Sequence, residues 1–163
     1  MTHAALAVAD YMLSSGKGFT PIQILKLVYI AHGWSLGLRG TPLIRERIEA
    51  WKHGPVIPSL YHEFKKFGSG IINKLAYCNT ETTDTKIVDR RSFFDNVFSV
   101  DEKNIMDQVV NKYGYLTGNQ LINLTHEKGT PWRNNFKKNN WFVEIPEDEI
   151  KSHYMGLANI VKS

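Results

Sequence analysis

Arg47 to Gly68 reads Arg-Ile-Glu-Ala-Trp-Lys-His-Gly-Pro-Val-Ile-Pro-Ser-Leu-Tyr-His-Glu-Phe-Lys-Lys-Phe-Gly, and the reading of this stretch decides the fold. Arg47 to Lys52 favours an extended strand. His53-Gly54-Pro55 is expected to turn the chain. Glycine tolerates positive φ, and proline fixes its own φ and steers the preceding residue out of the right-handed helix. Pro58 suits the first position of a helix, where its missing N–H would have been unpaired anyway. Along that helix Leu60, Tyr61, Phe64 and Phe67 form an apolar stripe, and Gly68 is expected to close it in the left-handed conformation. The stretch reads as strand, turn and helix, with Trp51 at the corner that packs one on the other.

Working outward, His3 to Ser14 reads as a helix with Leu6, Ala9 and Leu13 inward and Asp10 outward. Thr20-Pro21-Ile22-Gln23 has the pattern of a capping box with proline at the first position. The helix it opens is expected to run to about Leu38. Its apolar positions Ile24, Leu27, Val28, Ala31, Trp34 and Leu38 spread widely enough around the axis for a central helix. Beyond Gly68 the chain turns polar. Residues 73–97 read as a variable insertion, with a loop at Asn79 to Thr85 and short strands at Leu75 to Cys78 and Lys86 to Asp89. Ser99-Val100-Asp101-Glu102 and Thr117-Gly118-Asn119-Gln120 are two further capping boxes, and Thr130-Pro131-Trp132 starts a short helical turn. Residues 140–163 form a C-terminal helical segment. Pro146 opens its helix, three acids suit the positive end of the dipole, and Ile150, Tyr154, Leu157 and Val161 line one face. The sum is one compact domain over 1–163, mainly α within the α+β class, with about six helices and a few short β-strands.

A chain of 163 residues with 42% hydrophobic and 22% charged residues has the material for a sizeable core, which excludes a disordered class. A net charge of +4 permits acidic partners or nucleic acid without demanding either. The one cysteine, Cys78, forbids an intramolecular disulfide and fits a reducing cytoplasm, where it reads as an inert thiol. No signal peptide is expected. The longest apolar stretch, Ile24 to Ala31, is interrupted by Lys26 and is too short for a bilayer, so no membrane partner is expected.

No histidine pair with metal-ligand spacing and a neighbouring acid is present, and no cysteine pair, so neither a metal nor a cofactor is expected. His126-Glu127 lacks a nucleophile or a phosphate-binding glycine loop, so no catalytic residue is assigned. His32, His53 and His126 are expected to hydrogen-bond backbone carbonyls in or beside the core. Trp132 to Phe142 interleaves aromatic and basic residues, the pattern of an interface anchor or a stacking platform. Arg133, Phe136, Lys137, Lys138 and Trp141 are therefore the candidate partner-binding residues. The competing reading tucks Trp132, Phe136 and Trp141 inward and leaves the lysines in water. The acidic run from Glu144 to Glu149 opposes a nucleic-acid groove.

Three segments carry a resemblance. Glu-Ala-Trp-Lys-His-Gly-Pro-Val-Ile-Pro-Ser-Leu-Tyr at 49–61 resembles the signature of the Panacea domain, the antitoxin domain of SocA-like and GepA-like phage-associated proteins. Ile24 to Trp34 resembles that family's first core helix. Leu121 to Trp132 resembles its later helix and Pro-Trp segment. The resemblance spans roughly Leu6 to Trp132 and makes Trp51, Gly54, Pro55, Tyr61, His126, Pro131 and Trp132 the family-motif positions, mostly structural in role. It implies a non-enzymatic antitoxin of a bacterial or prophage toxin–antitoxin system, neutralising a cognate toxin encoded nearby by direct contact. The SocA-like branch implies an alternative, a proteolytic adaptor delivering the toxin to a AAA+ protease of the ClpXP type. A nucleic-acid-binding operon regulator is the other alternative, disfavoured because no helix-turn-helix with a basic recognition helix is apparent. Asn73 to Val97 and the residues after Asn139 lie outside the resemblance and are candidates for partner choice.

Overall fold

A computed structural model describes residues 1–75, 87–140 and 142–162. Among these are eight α-helices, seven of them arranged about one long central helix, with a small three-stranded sheet at one corner. The fold is of the expected α+β class. The two helices beyond the expected six are Ile87–Phe93 (α4), where Lys86 to Asp89 was expected to be a strand, and Pro131–Asn135 (α7), which grows from the expected helical turn. Leu75 is described. The rest of the Leu75–Cys78 strand, the Asn79–Thr85 loop and Lys86 lie outside the described residues.

The central helix is Pro21–Arg39 (α2). Thr20 Oγ1 accepts from the Gln23 amide at 3.3 Å, and the Gln23 side chain accepts from the Thr20 amide at 2.9 Å, closing the capping box. Gly40, at φ 73°, ends the helix in the left-handed conformation. Every residue from Ile24 to Gly33 is buried, because α2 packs against Ala5–Leu13 (α1), Pro58–Phe64 (α3), Val100–Tyr113 (α5), Gly118–His126 (α6) and Glu147–Lys162 (α8). The closest packing is against α8. A Cβ on Gly33 would collide with the Tyr154 ring, and one on Gly37 with the Tyr154 backbone. These two glycines, one helical turn apart, let α8 lie directly on α2. Leu38 does not join the inward face. It is 50% exposed, because α5 and α8 do not close over this end of α2.

Asp10, expected to face outward, is fully buried. Its carboxylate accepts from the Leu75 amide at 3.0 Å and from the Arg90 guanidinium at 2.8 Å. The flanks of the polar segment are thus tied to α1 by one buried acid. Glu102 plays a similar part on α5. It completes the Ser99 capping box and meets His3 Nε2 at 2.9 Å.

The Arg47–Gly68 stretch forms a hairpin and then a helix. Glu49–Trp51 (β1) pairs antiparallel with Gly54–Val56 (β2), with Trp51 opposite Gly54 and Ala50 opposite Pro55. The turn is therefore Lys52-His53, one step earlier than expected, and Gly54-Pro55 opens the second strand. Gly54 has φ 117°, a value that an L side chain rarely adopts. Pro55 is tolerated there because β2 is an edge strand, where a missing N–H breaks no ladder. Val143–Glu144 (β3) pairs with the other side of β1. Leu60 and Phe64 of α3 are buried, Tyr61 is exposed, and a 3-10 turn at Lys65–Phe67 follows. Gly68 has φ 57° and ψ −125°, so it leaves the helix at positive φ but outside the left-handed helical region. Trp51 is half-buried rather than core. Among the described residues no helix is long and apolar enough to cross a membrane.

Candidate functional site

The seven motif positions meet where the hairpin, α6 and α7 converge. Thr117 caps α6 through a third closed capping box, and Thr130 Oγ1 caps α7 by accepting from the Arg133 amide at 3.3 Å. Thr130 Oγ1 also donates to the carbonyls of Thr125 and Glu127, so one hydroxyl fixes the angle between the two helices. Pro131 and Trp132 are then held inward and buried. Trp132 Nε1 donates to the Trp51 carbonyl at 2.6 Å, which ties α7 to the hairpin. The His126 ring lies parallel to the Trp132 indole at 3.5 Å between centroids, and Phe136 stacks on Trp132 at 4.7 Å. Trp51 meets Tyr61 edge to face at 4.9 Å, and its own Nε1 donates to Glu49 Oε1.

Beneath the hairpin lies a residue that the sequence marked only as an interruption of an apolar run. Lys26 is 2% exposed, and its ammonium donates to the Pro55 carbonyl at 3.0 Å. It has no carboxylate partner among the described residues. Burial pulls its pKa down to about 7. Gly54 is required here for a second reason: a Cβ would come within 2.9 Å of the Lys26 Cε and Nζ. His126 is pushed down to about 4, first by burial and then by the Lys26 charge. A backbone hydrogen bond with His53 opposes this shift, in line with the expectation, while Nε2 is buried without a hydrogen-bond partner. His32 departs from the expectation. Its Nδ1 accepts from the amides of Leu43 and Ile44 at 3.2 and 3.3 Å, and burial lowers its pKa to about 4. It caps backbone donors as a neutral ring. His53 is exposed in the turn.

The candidate binding residues divide between core and surface. Arg133, Lys137 and Lys138 are exposed beside the corner, and Phe136 is half-buried against Trp132. Trp141 lies outside the described residues. Phe142, not selected from the sequence, is 73% exposed next to the lysines. The acids of Glu147, Asp148 and Glu149 occupy the first turn of α8, and Asn135 Nδ2 donates to Glu149 at 2.7 Å. The exposed chemistry is thus a cationic, aromatic patch with an acidic helix end beside it. The buried chemistry is structural. The signal that could have found Lys26 is a lysine inside an apolar run of a helix with no polar face.

The family model for "Antitoxin SocA-like, Panacea domain" matches residues 24–133, which take in α2 from Ile24 onward, the hairpin, α6 and the start of α7. "Antitoxin SocA" of Caulobacter vibrioides (strain NA1000 / CB15N) is 31% identical over 135 residues, covering 78% of this chain and 68% of that protein. No solved structure matches the chain.

Proposed function

The chain belongs to the SocA-like, Panacea-domain antitoxin family, and from that premise we propose that it neutralises a cognate toxin, encoded nearby, by direct protein–protein contact in the cytoplasm. The observation that carries this reading is the family match over the very elements that build the corner. The geometry supports a binding role. The titratable groups gathered at the corner, Lys26 and His126, are locked under the hairpin and against Trp132, while the outer rim offers side chains to a partner. Arg133, Phe136, Lys137, Lys138 and Trp141 are the proposed docking segment. Within it the exposed cations steer encounter with an acidic toxin surface, and Phe136 buttresses Trp132 from inside.

Toxin expressed with this protein in a host lacking ClpXP tests the mechanism. Growth is expected to be rescued there as fully as in a host that has the protease. Rescue only where ClpXP is present would replace direct neutralisation by delivery. Absence of rescue in both hosts would remove the antitoxin reading.

A further inference from the structure

Away from the corner, α2, α5 and α8 leave an open groove of about 210 Å³. Val109 and Ala158 are nearly buried in it, Trp34 forms a wall, and the half-exposed Leu38 stands at its edge. An apolar cavity of about 150 Å³ takes up benzene, so this groove has room for one ring-sized or leucine-sized side chain. Its polar groups are Gln108, Lys112 and the Tyr113 hydroxyl, and no acidic residue lines it. The Lys112 ammonium stands 5.6 Å from the Trp34 ring centroid and 5.3 Å from that of Tyr113, with no carboxylate partner among the described residues. The Tyr113 oxygen accepts from Trp34 Nε1 at 3.2 Å. Its own proton has no acceptor among the described residues. An apolar slot is thus bordered by a ring-supported ammonium and a phenol donor, and both lack an anionic partner.

We propose that this groove is a second docking site for the toxin, receiving a bulky apolar side chain whose neighbouring Asp or Glu is held by Lys112 and Tyr113. The charge decides the occupant. A wholly apolar segment would leave the ammonium unmatched, and a basic one would meet like charge. The proposal rests on the antitoxin reading for the partner's identity, but the chemistry of the occupant follows from the groove alone.

The test is panning of a displayed library of random short peptides over the intact protein. Enriched peptides are expected to carry Leu, Phe or Trp beside Asp or Glu. Ala158→Leu, which fills the groove, should weaken them roughly thirtyfold, the loss of an anchor residue. Lys112→Glu should weaken them about fivefold, as for an exposed ion pair. Leu38→Glu, at a half-exposed position that leaves the core alone, should weaken them as well, and this covers the case in which Ala158→Leu fails to fold. Peptides without an acid, or peptides that bind Ala158→Leu and Leu38→Glu undiminished, would overturn the proposal. So would a concentration-dependent dimer in sedimentation that Leu38→Glu abolishes, because the groove would then belong to a second copy. A neighbouring gene product that fails to bind would strike the antitoxin reading and leave the peptide result standing. One that binds Leu38→Glu and Lys112→Glu as well as wild type would strike the groove alone.

Discussion

Asp10 on α1 and Lys26 on α2 are both buried in this core, and they are held in opposite ways. The carboxylate has a guanidinium at 2.8 Å and a backbone amide at 3.0 Å. The ammonium has one peptide carbonyl at 3.0 Å and no acid among the described residues. Around Asp10 the charge itself joins distant parts of the chain: α1, Leu75 and α4. Around Lys26 the joining is done by stacked rings, a threonine hydroxyl and a hairpin, and the buried amine responds by shifting its pKa towards neutrality. A buried charge that anchors should be costly to remove, and one that is merely accommodated should not.

The largest expected effect is therefore at Asp10. Asp10→Ala leaves the Arg90 guanidinium, whose side chain is 12% exposed, with the Asn73 carbonyl but without its carboxylate, and should cost about 3–5 kcal/mol. Denaturant midpoints measure this, and replacing Arg90 by Met in the same chain should recover part of the loss. A cost below about 1 kcal/mol would place the pair among surface ion pairs and erase the contrast.

His32 is a buried base that accepts from amides, and its effect is smaller and depends on pH. Its folded pKa of about 4 lies below the usual 6.5. The unfolded chain therefore takes up a proton first as pH falls. The stability due to the neutral ring is complete above 6.5 and is lost as pH falls through the window to about 4, by up to about 3 kcal/mol. Melts of wild type and His32→Asn across that window should show a steeper acid decline in the wild type. Parallel curves would mean that the ring is hydrated.

The smallest loss is at Lys26. Lys26→Met should not destabilise at neutral pH, and should stabilise if the lost bond to Pro55 is minor, because the buried charge goes with it. The sign with pH is the same as for an acid whose pKa folding lowers, since in both cases the unfolded chain binds the proton more tightly, but the window lies far higher. Above about 7 the folded amine is neutral, while the unfolded one keeps its proton to 10.5, so wild-type stability gains as pH rises through that range. The Met variant should lack this gain. A large loss in Lys26→Met, with no change in pH dependence, would make Lys26 an anchor like Asp10.

The same contrast explains what could be read from the chain. The capping boxes at Thr20, Ser99 and Thr117 were legible because a box is complete within four residues, and all three form. Asp10 was misread because its partners Leu75 and Arg90 lie 65 and 80 residues away, and nothing local distinguishes a buried acid from a solvated one. The hairpin was read as a single turn because the partner strand is only Gly54–Val56, too short for an alternating pattern. The strand expected at Lys86 to Asp89 failed because Ile87 to Phe93 is helical once Arg90 and Arg91 reach back to Asp10 and Asp107. At the corner, the motif positions were identified by resemblance. Their geometry was not, since the parallel stacking of His126 on Trp132 and the lysine beneath Gly54 depend on helices far apart in sequence.

The central claim is that the folded protein alone holds its toxin. The direct measurement is titration of the purified product of the neighbouring toxic reading frame into purified protein, followed by calorimetry and by light scattering of the mixture. The account predicts a stoichiometric complex without nucleotide, protease or DNA. Reversing the charges of Arg133, Lys137 and Lys138 together should slow its association and leave the melting midpoint unchanged. No complex in the absence of a AAA+ protease, or a steeply salt-dependent complex with operator DNA in place of the toxin, would contradict it.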